Sequence, residues 1–176
     1  MGPGVVLAVA ALAGLVLSAG SRPGTRTDTA SLQKTLPVRP GRAWPLPGYP
    51  TLSSGYGWRL HPITGERQFH TGIDIPAPWG TAVQSPVRGQ IVRIERDCGL
   101  SDRCPNGNAV FVLDADGLRW ALLHLDQMYV RVGQTVMAGA VVGTVGVTGR
   151  TTGPHLHLQV ILPDGGTKNP LALVRA

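Results

Sequence analysis

The chain has 176 residues, which allows one domain of ordinary size plus a tail. A hydrophobic content of 43% supports a core, while 24 glycines, 15 prolines and 5% aromatics point to many turns and few long helices. The formal charge of +6 is nearly all arginine, since lysine occurs only at Lys34 and Lys168. The arginines are scattered, with no basic run interleaved with aromatics, so the charge is weak support for nucleic acid, and an anionic wall polymer or membrane surface fits about as well.

From Met1 to Ser21 no side chain is charged, and "VVLAVAALAGLVLSAG" is apolar with small residues near its end. Residues 1–20 therefore read as a secretory signal or an N-terminal anchor, although no Lys or Arg precedes the apolar run. The expectation is export to a periplasm, a cell wall or the exterior, with membrane contact only through this segment if it stays uncleaved. Residues 21–50 are rich in Pro, Gly, Ser and Thr without a period, which predicts a flexible linker.

After Thr51 the pattern changes to short β-branched runs punctuated by turns: "TAVQSPV" (81–87), "GQIVRIER" (89–96), "NAVFVLD" (108–114), "LRWALLHL" (118–125), "VVGTVGV" (141–147) and "HLHLQVIL" (155–162). "DADG" (114–117) reads as a hairpin turn. No window sustains a helical period. The prediction for 51–176 is one all-β domain, an antiparallel sandwich or partly open barrel. Cys98 and Cys104 bracket "GLSDR"; in an exported protein such a close pair is most simply a disulfide bracing a hairpin.

Five histidines occur, and four of them, His70, His124, His155 and His157, sit on or beside predicted strands. In "FHTGIDI", His70, Gly72 and Asp74 share one face of an extended segment, and Gly72 leaves space between the other two. Imidazole and carboxylate are good zinc ligands at about 2.0–2.2 Å, and a catalytic zinc takes three protein ligands with one position open. One of His155 and His157, which also share a strand face, can supply the third ligand. The other, or His124 in "LLHL", can then reach the water or substrate on the ion. Zinc brings the pKa of its water towards about 7, and an imidazole beside it can move a proton or stabilise an oxyanion.

The segments "SGYGWRLHPITGERQFHTGIDIPAPWGTAV" (54–83), "HL" (124–125), "VGQTVMAGAVVGTVGVTGRTTGPHLHLQV" (132–160) and "NP" (169–170) resemble, in order, the M23 peptidases, the LytM/lysostaphin-type zinc metalloendopeptidases. The resemblance covers roughly residues 50–172. It implies one zinc ion held by His70, Asp74 and His157, with His155 and His124 as catalytic residues, and peptidoglycan peptides as substrate. The resemblance also implies a compact antiparallel β domain with an open groove, while the chain is expected to be a monomer whose other partners, read from its charge, are anionic wall polymers and not nucleic acid. The family tyrosine two residues before the histidine of Y-x-H-L is Leu122 here, with Trp120 on the same strand face.

Two other functions compete on the residues. A non-catalytic wall-binding protein or amidase activator would not need every ligand and both extra imidazoles. A biotinyl or lipoyl carrier, suggested by "VRVGQTVMAGAVVG" (130–143), needs a lysine at the hairpin tip, and the nearest is Lys168. His61 reads as a loop residue, the glycines of "GVTGRTTG" as a turn bordering the site, and Tyr56, Trp58 and Trp79 as groove or packing aromatics.

Overall fold

Period-two alternation governs the strands at the centre of the molecule. The computed structural model describes Met1 and residues 39–60, 65–96 and 104–175. The chain divides into two units, Met1–Leu32 and Gln33–Ala176, and the strands belong to the second. The expected signal or anchor (beyond Met1), the first part of the linker, His61 and Cys98 of the expected disulfide lie outside the described residues. Among the described residues no helix is long and apolar enough to cross a membrane.

A short hairpin pairs β1 (Gly57–Leu60) with β2 (Arg67–His70). Then come β3 (Gly72–Pro76), β4 (Ala82–Gln84), β5 (Gly89–Glu95), β6 (Asn108–Leu113), β7 (Arg119–Met128), β8 (Thr135–Val136), β9 (Val141–Val145), β10 (His155–Ile161), β11 (Thr167–Lys168) and a four-residue helix α1 (Leu171–Val174). A nine-stranded sheet runs β11-β10-β7-β6-β5-β8, with β3 on β10, β9 on β7 and β4 on β9. Its strands pair antiparallel throughout. The all-β expectation holds, and the sheet is not closed into a barrel. Each of the six predicted strand runs overlaps a strand, and β7 continues three residues past its run, to Met128.

The alternation sorts side chains to two faces. Ile73 and Ile75 of β3, and Leu156, Leu158 and Val160 of β10, enter the main core with Trp120, Leu122 and Val112. Between them Gly72, Asp74, His155, His157 and Gln159 take the opposite face, because successive strand residues point to opposite sides. A smaller apolar cluster, Ala109, Phe111, Ala121 and Leu123, lies on that second face of β6 and β7. The functional groups thus stand on a sheet whose other side is the core, so burial of the leucines and isoleucines holds the histidines in place.

One boundary differs from expectation. Residues 39–50, assigned to the linker by their prolines and glycines, are packed onto the domain. Leu46 is fully buried and Trp44 nearly so. The Trp44 indole N–H donates to Tyr49 O at 3.0 Å, and the Arg39 N–H donates to Val174 O at 2.9 Å. Two large apolar side chains outweigh a loop-like composition, since each fully buried one contributes roughly 1.5–3 kcal/mol.

Trp120 is also settled by this arrangement. Its indole N–H donates to Asp114 Oδ2 at 2.9 Å, and Arg42 pairs with the same oxygen at 3.0 Å while lying over the Trp120 ring. It belongs to the core and not to the groove. Burial raises the Asp114 pKa, but the bonds from Trp120, Arg42 and Leu118 outweigh it and hold the carboxyl below its ordinary value of 3.8. The native state therefore favours the ionised acid. Its contribution is present above the unfolded pKa and is lost as pH falls through the lower folded one. Asp114→Asn is expected to cost about 1–3 kcal/mol at pH 7, read by denaturant unfolding, with the gap to the parent closing on acidification below 3.8.

Candidate metal centre

Three elements converge on Asp74. β2 ends at His70, one peptide passes at Thr71, and β3 begins at Gly72 and carries Asp74. β10 then pairs with β3 so that His157 lies directly opposite Asp74. Residues far apart in the chain are thereby set side by side by strand register.

The side chains meet at short range. Asp74 Oδ1 lies 2.8 Å from His157 Nδ1 and 3.3 Å from His70 Nε2, and the two nitrogens are 3.1 Å apart. His70, Asp74 and His157 together form the group of possible metal ligands found among the described residues. His155 Nε2 stands 3.6 Å from Asp74 Oδ1, just outside this trio.

The chemistry of these atoms fits a cation. The His70 Nδ1–H donates to Gly55 O at 2.7 Å, which leaves a lone pair on Nε2, the atom that faces Asp74 and His157. A nitrogen lone pair, a second imidazole nitrogen and a carboxylate oxygen then point at one another. A proton between His157 and Asp74 satisfies one of the three contacts; a divalent cation satisfies all of them. Bonds of about 2.0–2.1 Å in tetrahedral geometry place ligand atoms about 3.3 Å apart, close to the separations observed.

Charge reinforces this. Burial pushes the Asp74 carboxyl up, but the hydrogen bonds and charges of His157 and His70 prevail and hold it far below the usual carboxylate range. It is an anion at any working pH. Its second oxygen, Oδ2, faces the Arg59 guanidinium at 3.7 Å. Arg59 thus engages the oxygen that the imidazoles do not, which aims Oδ1 inward.

The two remaining imidazoles are also oriented by backbone. The His155 Nδ1–H donates to Gly153 O at 2.9 Å, with Thr151 Oγ1 3.1 Å away, so Nε2 is the acceptor atom directed at Asp74. The His124 Nδ1–H donates to Thr148 O at 2.9 Å. Burial, and next the neighbouring His155, push the His124 pKa down to about 4. His124 is therefore neutral at pH 7, with Nε2 as its acceptor. The His124 and His155 ring centroids are 4.9 Å apart.

His124 reaches this place through a feature that alternation did not foretell. Strict alternation from Trp120 and Leu122 would send it into the main core. Instead its φ is 63°, left-handed backbone that non-glycine residues rarely adopt. Across the ladder, Asn108 pairs with Leu125 but Val110 with Leu122, so β7 carries one extra residue. That bulge turns His124 to the cleft and returns Leu125 to the core. At the same point β7 leaves β10, its partner through Leu123, and takes up β9 from Leu125.

All five predicted site residues, His70, Asp74, His124, His155 and His157, line one open cleft, together with Arg59, Arg150, Thr151 and Gln159. Tyr56, Trp58 and Trp79 are not among its lining residues. Tyr56 donates its hydroxyl to Thr167 O at 2.9 Å, while Trp58 and Trp79 are exposed. Sequence reasoning missed Arg59 and Thr148. The strand position of Arg59, opposite Gln68 in the hairpin that ends at His70, was the available signal.

Known proteins resemble this chain in sequence and in fold. A DD-carboxypeptidase/endopeptidase, Mpg, of Neisseria meningitidis serogroup B is 39% identical over 125 residues, 71% of this chain but 27% of that protein. The chain thus spans about a quarter of the length of that relative. A zinc-containing peptidase from Vibrio cholerae superposes with a TM-score of 0.63 at 30% identity, covering 73% of this chain and 38% of that one. The catalytic domain of lysostaphin from Staphylococcus simulans gives 0.59 at 32% identity, covering 69% and 90%. The profile of Peptidase family M23 matches residues 68–170, a span that opens just before His70 and closes after His157. That match takes in more than half of the sequence, together with His70, Asp74, His124, His155 and His157, and the chain belongs to peptidase family M23.

Proposed function

We propose that the protein is an exported zinc endopeptidase that hydrolyses peptide bonds in the cross-links or stem peptides of bacterial peptidoglycan. The observation that carries this reading is the convergence of His70, Asp74 and His157 beside two imidazoles that are held by backbone carbonyls and left out of the trio. The relatives named DD-endopeptidase, DD-carboxypeptidase/endopeptidase and lysostaphin support the substrate class. The apolar residues 1–20 support export, and the pair Cys98 and Cys104 would form a disulfide there.

His70, Asp74 and His157 would hold one zinc ion. When bound, zinc supplies Lewis acidity towards the peptide carbonyl and makes water a competent nucleophile near neutral pH. The chain's own groups do the rest. His155, with its Nδ1–H committed to Gly153 O, takes a proton from water on Nε2 and returns it to the leaving amine. His124, neutral and braced at Nδ1, offers a second proton acceptor on the same side. Arg59 holds Asp74 so that a single oxygen faces the trio.

The test is hydrolysis of purified peptidoglycan by the full chain. Release of cleaved muropeptides, seen by mass spectrometry, is expected to stop on addition of a chelator and to return with zinc. Walls bound but not cleaved by the zinc-loaded protein would overturn the proposal.

A further inference from the structure

The charge inside the cleft is uneven in a way that the zinc trio does not use. Its charged lining residues, the histidines aside, are Arg59, Arg150 and Asp74. Arg59 and Asp74 face each other at 3.7 Å. Arg150 is exposed and forms no ion pair among the described residues. One full positive charge is therefore presented to whatever enters.

The loop that carries Arg150 is anchored. Gly149, at φ 72°, approaches the 105–107 turn so closely that a Cβ there would lie 2.3 Å from Gly107 N. A Cβ on Gly107 would in turn lie 2.3 Å from the Thr148 carbonyl carbon. The Arg150 N–H donates to Pro105 O at 3.0 Å, which closes the contact between the two loops. The same loops hold the catalytic side: Thr148 O takes the His124 Nδ1–H, Asn106 O takes the His124 backbone N–H, and Thr151 Oγ1 sits 3.1 Å from His155 Nδ1. Arg150 is thus fixed in sequence between the residues that orient both imidazoles.

A rigidly based, unpaired guanidinium at the lip of a peptide-binding cleft is a receptor for a planar anion. We infer that Arg150 receives a carboxylate of the substrate, so that the cleft selects peptides with a free carboxylate close to the bond that is cut. This rests on the endopeptidase reading for the word substrate, and on the cleft alone for the binding. An uncharged bridge such as a run of glycines offers Arg150 nothing to pair with, and an amidated stem peptide leaves its charge facing a neutral group.

The experiment compares two synthetic branched stem peptides, matched except that one bears a free carboxylate and the other the carboxamide. Dissociation constants are measured by calorimetry with the full zinc-loaded chain, and cleavage is followed in parallel. The acid is expected to bind about 10-fold more tightly than the amide. Arg150→Gln is expected to bring that ratio to about 1, and Arg150→Lys to leave an intermediate ratio, because a point charge remains without the fork. Equal binding of the two peptides by the parent protein, or an undiminished ratio in Arg150→Gln, overturns the inference; the second result would place the carboxylate on the metal. A ratio that collapses in Arg150→Gln while neither peptide is cleaved supports the inference and overturns the endopeptidase reading.

Discussion

His155→Ala is expected to keep zinc and lower peptide hydrolysis by about 10²–10⁴-fold, whereas His157→Ala, two residues along the same strand face, is expected to lose the metal itself. The contrast follows from which atoms meet. His157 Nδ1 lies 2.8 Å from Asp74 Oδ1 and 3.1 Å from His70 Nε2, inside the trio. His155 Nε2 is 3.6 Å from Asp74 Oδ1, and its other nitrogen is tied to the Gly153–Thr151 turn. On the proposed reading, removing His155 takes away a proton carrier without touching the trio. Removing His157 would leave two of the proposed ligands, one short of the three that a catalytic zinc site uses. Zinc content after dialysis and muropeptide release, measured on both variants, check this. Zinc lost equally from both would place His155 among the ligands.

Gly72→Ala is expected to damage the site nearly as much with the addition of a single methyl group. Gly72 pairs with Gln159 across β3 and β10, on the face that carries Asp74 and His157. A Cβ there would lie 2.4 Å from Leu158 O, 2.6 Å from His157 Nε2 and 2.8 Å from His157 Cε1. The first of these is backbone of the central sheet and cannot step aside cheaply. Overpacking of this kind costs about 1–3 kcal/mol of stability. The ring that must move belongs to the proposed zinc trio, so zinc affinity should fall about 10-fold or more, within the range seen when the support of a ligand is lost. Thermal unfolding and competition with a chromophoric chelator read the two effects separately. An unchanged zinc affinity would mean that His157 is free to shift, contrary to its packing.

The sequence was most informative where chemistry and periodicity coincide. H-x-x-x-D and H-x-H place Gly72 and Asp74, then His155 and His157, on strand faces by simple alternation, and β3 and β10 follow that rule. His124 was visible as a residue type but not as a conformation. Its placement depends on an extra residue in β7 and on φ 63°, which only pairing with both β6 and β9 makes visible. The role of Trp120 stayed open for a related reason, since a strand face in isolation does not say which side is core. Residues 39–50 looked like linker because proline and glycine dominate their composition, although Trp44 and Leu46 were already two apolar residues too many for a solvated tether. Arg59 and Thr148 act through a carboxylate and a histidine ring distant in the chain, and no local pattern marks such partners. The two-residue strands β8 and β11 are too short to leave a periodic trace.

Leucine and histidine alternate along β10, and isoleucine alternates with glycine and aspartate along β3, so folding and reactivity are written on interleaved positions of the same strands. Sliding either strand by one residue would exchange the two sets, driving imidazoles or a carboxylate into hydrocarbon and leucines or isoleucines into water. The misregistered chain would forfeit hydrophobic burial at the moment it scattered the trio around Asp74. A population of well-folded but misaligned, metal-blind molecules is thereby suppressed: quality control over the reactive face is exercised by the greasy one.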